Sequence, residues 1–328
     1  MTESIRFSVR VNNDLTIDDT VALALAAERA EFDQFWMSND LFFRSAPVVL
    51  SAVAQATARI QIGTCILNPF TIDPSEIAMI AATLDELSQN RFQLGLAAGS
   101  RKFMDWVGIE HRVPLTAVRE TVAIVRDLLA GKSAMISGER FRWRDGAYLR
   151  FRPSRRTPIY IGALGPKMLR LAGEIGDGVL PLLFPPEHYH TVKPLIEEAG
   201  RELDLAACVW VSLSEDAAAA RRALAEKIAY YGPALTATVL ERLSLTPDDF
   251  VAIDRAVTVE RDMDKASKLV DERMLRIGIV GTPGDVIARL EPLVDAGARH
   301  LSFGPPLGPD PLEAVELLGR AVLPHFRG

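Results

Sequence analysis

Only two cysteines, Cys65 and Cys208, occur in 328 residues. Two thiols cannot build a disulfide framework, and both lie in apolar, strand-like runs, so a reducing cytoplasm is the expected setting. Histidine is equally scarce, with five in the chain. His188 and His190 stand two apart in a loop, which is poor metal spacing, and read as surface residues. There is no serine–histidine–acid pattern, no HExxH, no metal-ligand cluster and no lysine placed to form a Schiff base. No apolar run approaches the roughly 18 residues that a membrane helix needs, and no signal pattern opens the chain. A net charge of −6 argues against a nucleic-acid footprint.

What is present is a hydrophobic fraction of 48% and a repeating strand–helix pattern. The length allows two ordinary domains or one α/β barrel. Ile5, Phe7, Val9 and Val11 alternate with polar residues as a strand would. Further strands are expected at 34–37, 60–66, 92–98, 158–161, around Val179, at 206–213 and at 300–303. Between them, Pro74 opens a helix with Ile77, Ile80, Leu84 and Leu87 on one face. Pro114 opens another, burying Val118, Val122, Val125 and Leu129. Thr282 and Gly297 bracket a third. Eight strands alternating with helices predict a (β/α)8 TIM barrel filling residues 1–328 as one domain. The competing doubly wound sheet usually carries a glycine-rich turn after its first strand. Here that turn is Val11-Asn12-Asn13-Asp14.

Two segments exceed the repeat. Residues 131–157 hold seven arginines between Arg140 and Arg156, and Asp145-Gly146 predicts the turn of a hairpin. These arginines form either a solvated face or a cationic rim for an anionic ligand. A helical insertion, roughly 233–272, precedes the eighth strand and suits a lid or a subunit contact.

Chemistry in such a barrel sits at the C-terminal ends of its strands. Those ends offer few acids or bases. Asp40 is the only carboxylate right at a strand end, and it lacks the partner a glycosidase would need. A barrel poor in acids and bases points to a bound cofactor. The segment GALGPKMLRLAGEIGDGVLP, from Gly162 to Pro181, is consistent with that. A strand runs into Gly162, Ala163, Leu164 and Gly165, and a helix starts near Pro166, Lys167 and Met168. Glycines at a helix N-terminus with an adjacent lysine suit a phosphate, although many such turns merely end a strand.

Four segments carry a family resemblance: LNPFTIDPSEIAMIAATLDELSQNRFQLGLAAGS, the GIEH segment with its following helix, GALGPKMLRLAGEIGDGV, and VGTPGDVIARLEPLVDAGARHLSFGPPLGPDP. Together they resemble the luciferase-like flavin and deazaflavin superfamily, most closely the methylenetetrahydromethanopterin reductase branch. The resemblance implies a luciferase-like barrel, coenzyme F420 or FMN as cofactor, no metal, hydride transfer to or from a small organic substrate, and a homodimer or larger homo-oligomer. It also implies a non-prolyl cis peptide at Cys65-Ile66, backing the flavin ring, with Asn39 and Asn68 nearby and the phosphate on Gly162 to Met168. The reductases carry an acid late in the first strand, where Arg10 stands here. Their Asp-His after strand two is Asn39-Asp40, and their acid after the glycine pair of strand four is Ser100. An arginine cannot give up a proton at neutral pH but can clamp an anion. Arg10, Asp40 and Ser100 are thus the candidate catalytic residues, with Asp40 the candidate proton carrier. The favoured expectation is an F420-dependent oxidoreductase, with a methylenetetrahydropterin among the possible substrates. The alternatives are an FMN-dependent monooxygenase served by a partner flavin reductase, direct use of a nicotinamide donor, and a cofactor-binding paralogue without catalysis.

Overall fold

The structure is a computed structural model and describes residues 4–327. Eight parallel strands close a barrel: β1 (Arg6–Val11), β2 (Gln34–Met37), β3 (Gln61–Thr64), β4 (Phe92–Leu96), β5 (Ile159–Ala163), β6 (Gly178–Pro181), β7 (Ala207–Leu213) and β8 (His300–Leu307). They pair in sequence order up to β6, and β8 lies between β7 and β1. Closure beside β6 begins where Gly178 and Val179 pair with Asp204 and Leu205, just ahead of β7, and continues through a bridge of Leu182 with Cys208 and the Leu183 N–H on the Cys208 carbonyl at 3.0 Å. Beyond it a short strand, Ile279–Gly281, takes the upper edge of β7 from Val211 to Leu213. The sequence pattern did not anticipate that strand. Among the described residues no helix is long and apolar enough to cross a membrane.

Strand alternation sorts the residues into two sets. Phe7, Val9, Phe35, Ile62, Phe92, Leu94, Ile161, Val179, Val209, Leu301 and Phe303 share one large apolar cluster with the helices. The other set fills the barrel, and it is polar. Ser8, Arg10, Gln34, Gln93, His300 and Ser302 are all buried. Bulk there faces glycine. A Cβ on Gly63 would meet the Trp36 ring at 2.4 Å, one on Gly178 the Tyr160 ring at 2.2 Å, and one on Gly304 the Arg10 guanidinium at 2.5 Å. The interior is thus packed solid below the mouth.

The 131–157 excursion forms its hairpin, but not at Asp145-Gly146. Ile136–Ser137 pair with Arg142–Trp143, so the chain reverses at Gly138–Phe141. The reason is Glu120 on the preceding helix, only 9% exposed. Its carboxylate accepts the backbone N–H groups of Glu139, Arg140 and Phe141 at 2.8–3.1 Å. Three N–H bonds to one anion outweigh the local preference of Asp-Gly, which makes a separate turn with Gly146 at φ +95°. Glu120→Gln is expected to lower stability by about 1–2 kcal/mol. Urea unfolding should show a lower midpoint with an unchanged slope.

The expected helical insertion is present. Its short helices from Gly232 to Leu275 roof a second apolar cluster with Trp210, Leu224, Ile228, Phe250 and Leu275. This roof carries Met263 to one side of the mouth, beside Tyr231 at the end of the Ala217–Tyr231 helix.

Candidate active site

Asn13 organises the near rim. It is 1% exposed, and its amide spans the gap between the loops after β1 and β2. Its Nδ2 donates to the carbonyls of Asp40 (2.9 Å) and Arg44 (2.8 Å), and its Oδ1 accepts from Ser38 Oγ (2.9 Å). Sequence reasoning passed over this residue. Its effect is to fix the backbone of Asp40 while leaving the Asp40 side chain free. That carboxylate accepts no hydrogen bond from the described residues, so it is not a loop cap. Burial raises its pKa, Lys227 opposes that shift, and Asp14 adds to it.

Arg10 lies deeper, 5% exposed. Its Nε donates to Ser302 Oγ (3.1 Å) and its Nη2 to the Val209 carbonyl (2.8 Å). A line of polar groups continues downward. Ser302 and Ser8 hydroxyls meet at 2.8 Å, Ser8 meets His300 Nε2 at 2.8 Å, and His300 Nδ1 meets Asp204 at 3.0 Å. Ser8 Oγ donates to Ser302 Oγ, so Ser302 receives a proton from both Arg10 and Ser8, and the two ring nitrogens of His300 bridge Ser8 to Asp204. Burial alone would raise the Asp204 carboxyl. His300, Arg6 and the Tyr160 hydroxyl outweigh it and hold Asp204 well below the usual carboxylate range. The buried cation is thereby answered by an anion at the opposite end of the barrel.

On the far rim, the Cys65–Ile66 peptide is cis and non-prolyl, as the resemblance implied. Both side chains are partly exposed to the mouth. Burial pushes the Cys65 thiol up to about 12, so it is no nucleophile at neutral pH. Asn68 Oδ1 accepts the N–H groups of Phe70 and Thr71, both at 3.0 Å, and Asn39 Oδ1 accepts that of Ala46 at 3.0 Å. Both amides therefore spend their oxygens on the fold and keep their NH2 groups. Ser100 is exposed and precedes the short helix Arg101–Trp106 without a side-chain capping bond.

After β5, Gly165 stands at the N-terminus of the Pro166–Ile175 helix with φ −93° and ψ 156°. Any residue can adopt those angles, and a Cβ there would meet nothing within 4 Å. The Lys167 and Met168 N–H groups have no acceptor among the described residues, and Lys167 is exposed.

Between β1, β8 and the Ala217–Tyr231 helix lies a cleft of about 400 Å³. Its lining includes Asp14, Phe43, Lys227, Tyr230, Tyr231 and Pro305 but none of Gly162–Met168. Lys227 was missed from the sequence. Its Nζ sits 3.9 Å from the Tyr231 ring centre and 5.3 Å from that of Trp210. Burial pushes it down to about 8, with Asp14 and Asp40 pulling upward and Arg10 downward. Of the arginine-rich segment, Arg155 is bound to Asp85 (2.9 Å) and Arg156 to Asp177 (2.7 Å), while Arg140 stacks 5.1 Å from the Phe70 ring beside the β3 loop. Arg142 and Arg144 are exposed and make no ion pair among the described residues. His190 is exposed, but His188 departs from the surface reading. Its Nε2 is buried without a partner, and burial lowers its pKa to about 4. Among the described residues no group of three or more His, Cys, Asp or Glu side chains could hold a metal ion.

A closed parallel barrel whose mouth carries half-buried, unpaired acid and base groups is the frame of an enzyme. The chain belongs to the luciferase-like monooxygenase family, whose sequence profile matches residues 4–300. It is 33% identical to a 5,10-methylenetetrahydromethanopterin reductase of Archaeoglobus fulgidus, over 98% of this chain and 100% of that protein. It is 29% identical to an F420-dependent glucose-6-phosphate dehydrogenase of Microbacterium testaceum, over 100% of this chain and 99% of that one. The structure of the coenzyme F420-dependent tetrahydromethanopterin reductase from Methanopyrus kandleri superposes with a TM-score of 0.92 at 30% identity, covering 98% of this chain and 99% of the other. The relatives named here are two reductases and a dehydrogenase, and F420 dependence is part of the name of the dehydrogenase and of the Methanopyrus kandleri reductase.

Proposed function

We propose that this protein is an F420-dependent oxidoreductase that moves a hydride between the deazaflavin and a small organic substrate. The observation that carries the reading is the turn at Gly165. Glycine there answers no demand of the fold, yet two N–H groups beside it lack acceptors. A phosphate arriving at that helix end would use the open space and the free donors together. The free NH2 groups of Asn39 and Asn68 suit carbonyl oxygens of a flavin-type ring backed by Cys65 and Ile66. When bound, the reduced deazaflavin would supply the hydride, which carries both electrons. The protein holds the ring, excludes water from one face and manages the accompanying proton, with Asp40 as the carboxylate of that machinery.

The family names favour a methylenetetrahydropterin as the first substrate to try. Arg10 and Ser100, where the reductases carry acids, are the reason to test other hydride acceptors beside it. The deciding experiment is binding. Apo protein titrated with F420 and with FMN should show a dissociation constant for F420 at least tenfold lower; a preference for FMN would overturn the reading.

F420 also carries an oligoglutamate tail, and the exposed Arg142 and Arg144 lie on the hairpin beside the Phe70 loop. Exposed ion pairs are each worth about 0–1 kcal/mol and are screened by salt. Changing both arginines to alanine should weaken F420 binding about three- to tenfold at low salt and change FMN binding less than twofold. Equal effects on the two ligands would make the hairpin a solvated surface.

A further inference from the structure

The mouth has two sides, and the turn at Gly165 and the cis peptide occupy only one of them. The other side is the cleft between β1, β8 and the Ala217–Tyr231 helix, walled by Phe43, Tyr230, Tyr231 and Pro305. Its volume of about 400 Å³ is ample for a small ring compound. Lys227 is the sole cation in its lining. The charged or titratable groups facing that amine are Asp14 from the loop after β1, Asp40 from the loop after β2, Arg10 from β1, and Glu226, Tyr230 and Tyr231 from its own helix. None forms an ion pair or hydrogen bond with it among the described residues. The amine is held by aromatic faces instead, with its donors open to the cleft.

We propose that this cleft receives the hydride acceptor and that Lys227 is a catalytic residue, the donor of the proton that accompanies the hydride. The proposal rests on the F420 reading above. The substrate class is a carbon bonded to nitrogen or oxygen in a carbonyl, imine or aminal. A C–H bond forms as hydride arrives. One electron pair of the C–X bond withdraws onto X, and X takes a proton from Lys227 Nζ. Two electrons leave the dihydro cofactor, and the second proton set free by its oxidation restores the ammonium through solvent at the open cleft. Asp40 does not line the cleft. Its part is to keep Lys227 charged, and that coupling gives the proposal a second handle.

The amine fits the task because its pKa lies near working pH. The test uses the full chain with reduced F420 and 5,10-methylenetetrahydromethanopterin. Wild-type kcat/KM should be level below pH 8 and fall tenfold per unit above it. Lys227→Met and Lys227→Arg should each lower kcat at least a hundredfold and abolish that alkaline fall, with F420 affinity within twofold of wild type by fluorescence titration. Asp40→Asn should move the alkaline limb to lower pH, since the carboxylate raises the amine. Full kcat in Lys227→Met, or recovery in Lys227→Arg with only KM altered in Lys227→Met, would overturn the proton role. Failure of the wild-type chain to bind F420 is read from the titration alone, and it condemns the cofactor reading separately.

Discussion

Gly165→Val should cut F420 affinity by about a hundredfold, some 2.7 kcal/mol, while the protein stays folded. The branched side chain would stand where the phosphate must approach, over the unbonded N–H groups of Lys167 and Met168. The fold has little reason to object. The residue sits in extended backbone, and its Cβ direction is empty. Valine is a poorer N-cap than glycine by some tenths of a kcal/mol, so a melting-temperature loss of about 1–2 °C is expected in a chain of this size. Isothermal titration and a thermal melt on one preparation separate the two effects. Unchanged affinity would move the phosphate elsewhere. A large drop in melting temperature with normal affinity would make the glycine a structural one.

Asp40→Asn should move the alkaline limb of kcat/KM to lower pH with little change in F420 affinity, because it keeps the shape of the side chain and removes the charge that helps keep Lys227 protonated. The same change should raise stability at neutral pH. The folded-state pKa of Asp40 lies above its unfolded value, so the native state holds the proton more tightly. The aspartate's contribution to stability therefore falls as pH rises through that interval. A neutral amide escapes the penalty. The variant should melt higher than wild type at pH 8, and the difference should shrink toward pH 4. An alkaline limb left in place in Asp40→Asn would show that Asp40 does not act on Lys227.

Much of the frame was legible in the sequence because periodicity is a local property. The helix begun by Pro74 buries Ile77 and Leu84 but leaves Ile80 half-buried and Leu87 exposed, and that begun by Pro114 buries Val118, Val122, Val125 and Leu129, as their spacing required. Thr282 caps its helix through a reciprocal bond with Asp285. The failures share one cause, which is partners distant in sequence. Gly138–Phe141 reverses the chain because of Glu120, some twenty residues back. Ile279–Gly281 is three residues long and becomes a strand only because β7 has an open edge above Leu182. Alternation marked the polar members of β1 without naming their partners, and Ser8 and Arg10 meet Ser302, near the end of the chain.

Of the candidate site, glycine punctuation and strand ends in the sequence pointed to residues that stand as proposals, while Asn13 and Lys227 carried no such mark. Asn13 looked like one of two interchangeable asparagines in a loop. Lys227 belongs to an alanine-rich helix whose sequence marks no face as special. A faint signal existed, since Lys227 and Tyr231 are four apart and must share a face. Which face fronts the mouth is decided by the insertion packed over it.

The line of groups from Arg10 to Asp204 constrains any attempt to redesign the barrel. Exchanging Arg10 for glutamate, to bring back the acid of the reductases, would place a carboxylate against the carbonyls of Val209 and Ser302, which now accept from the guanidinium. Ser302 Oγ, which now accepts from the guanidinium, would lose that donor, and a second acid would be buried in a barrel that already holds Asp204. The polarity of the barrel axis is inherited as a block. Residues 8, 10, 204, 300 and 302 form a unit that single substitutions cannot walk across. A change of substrate chemistry in this scaffold is more readily reached from the cleft walls than from its floor.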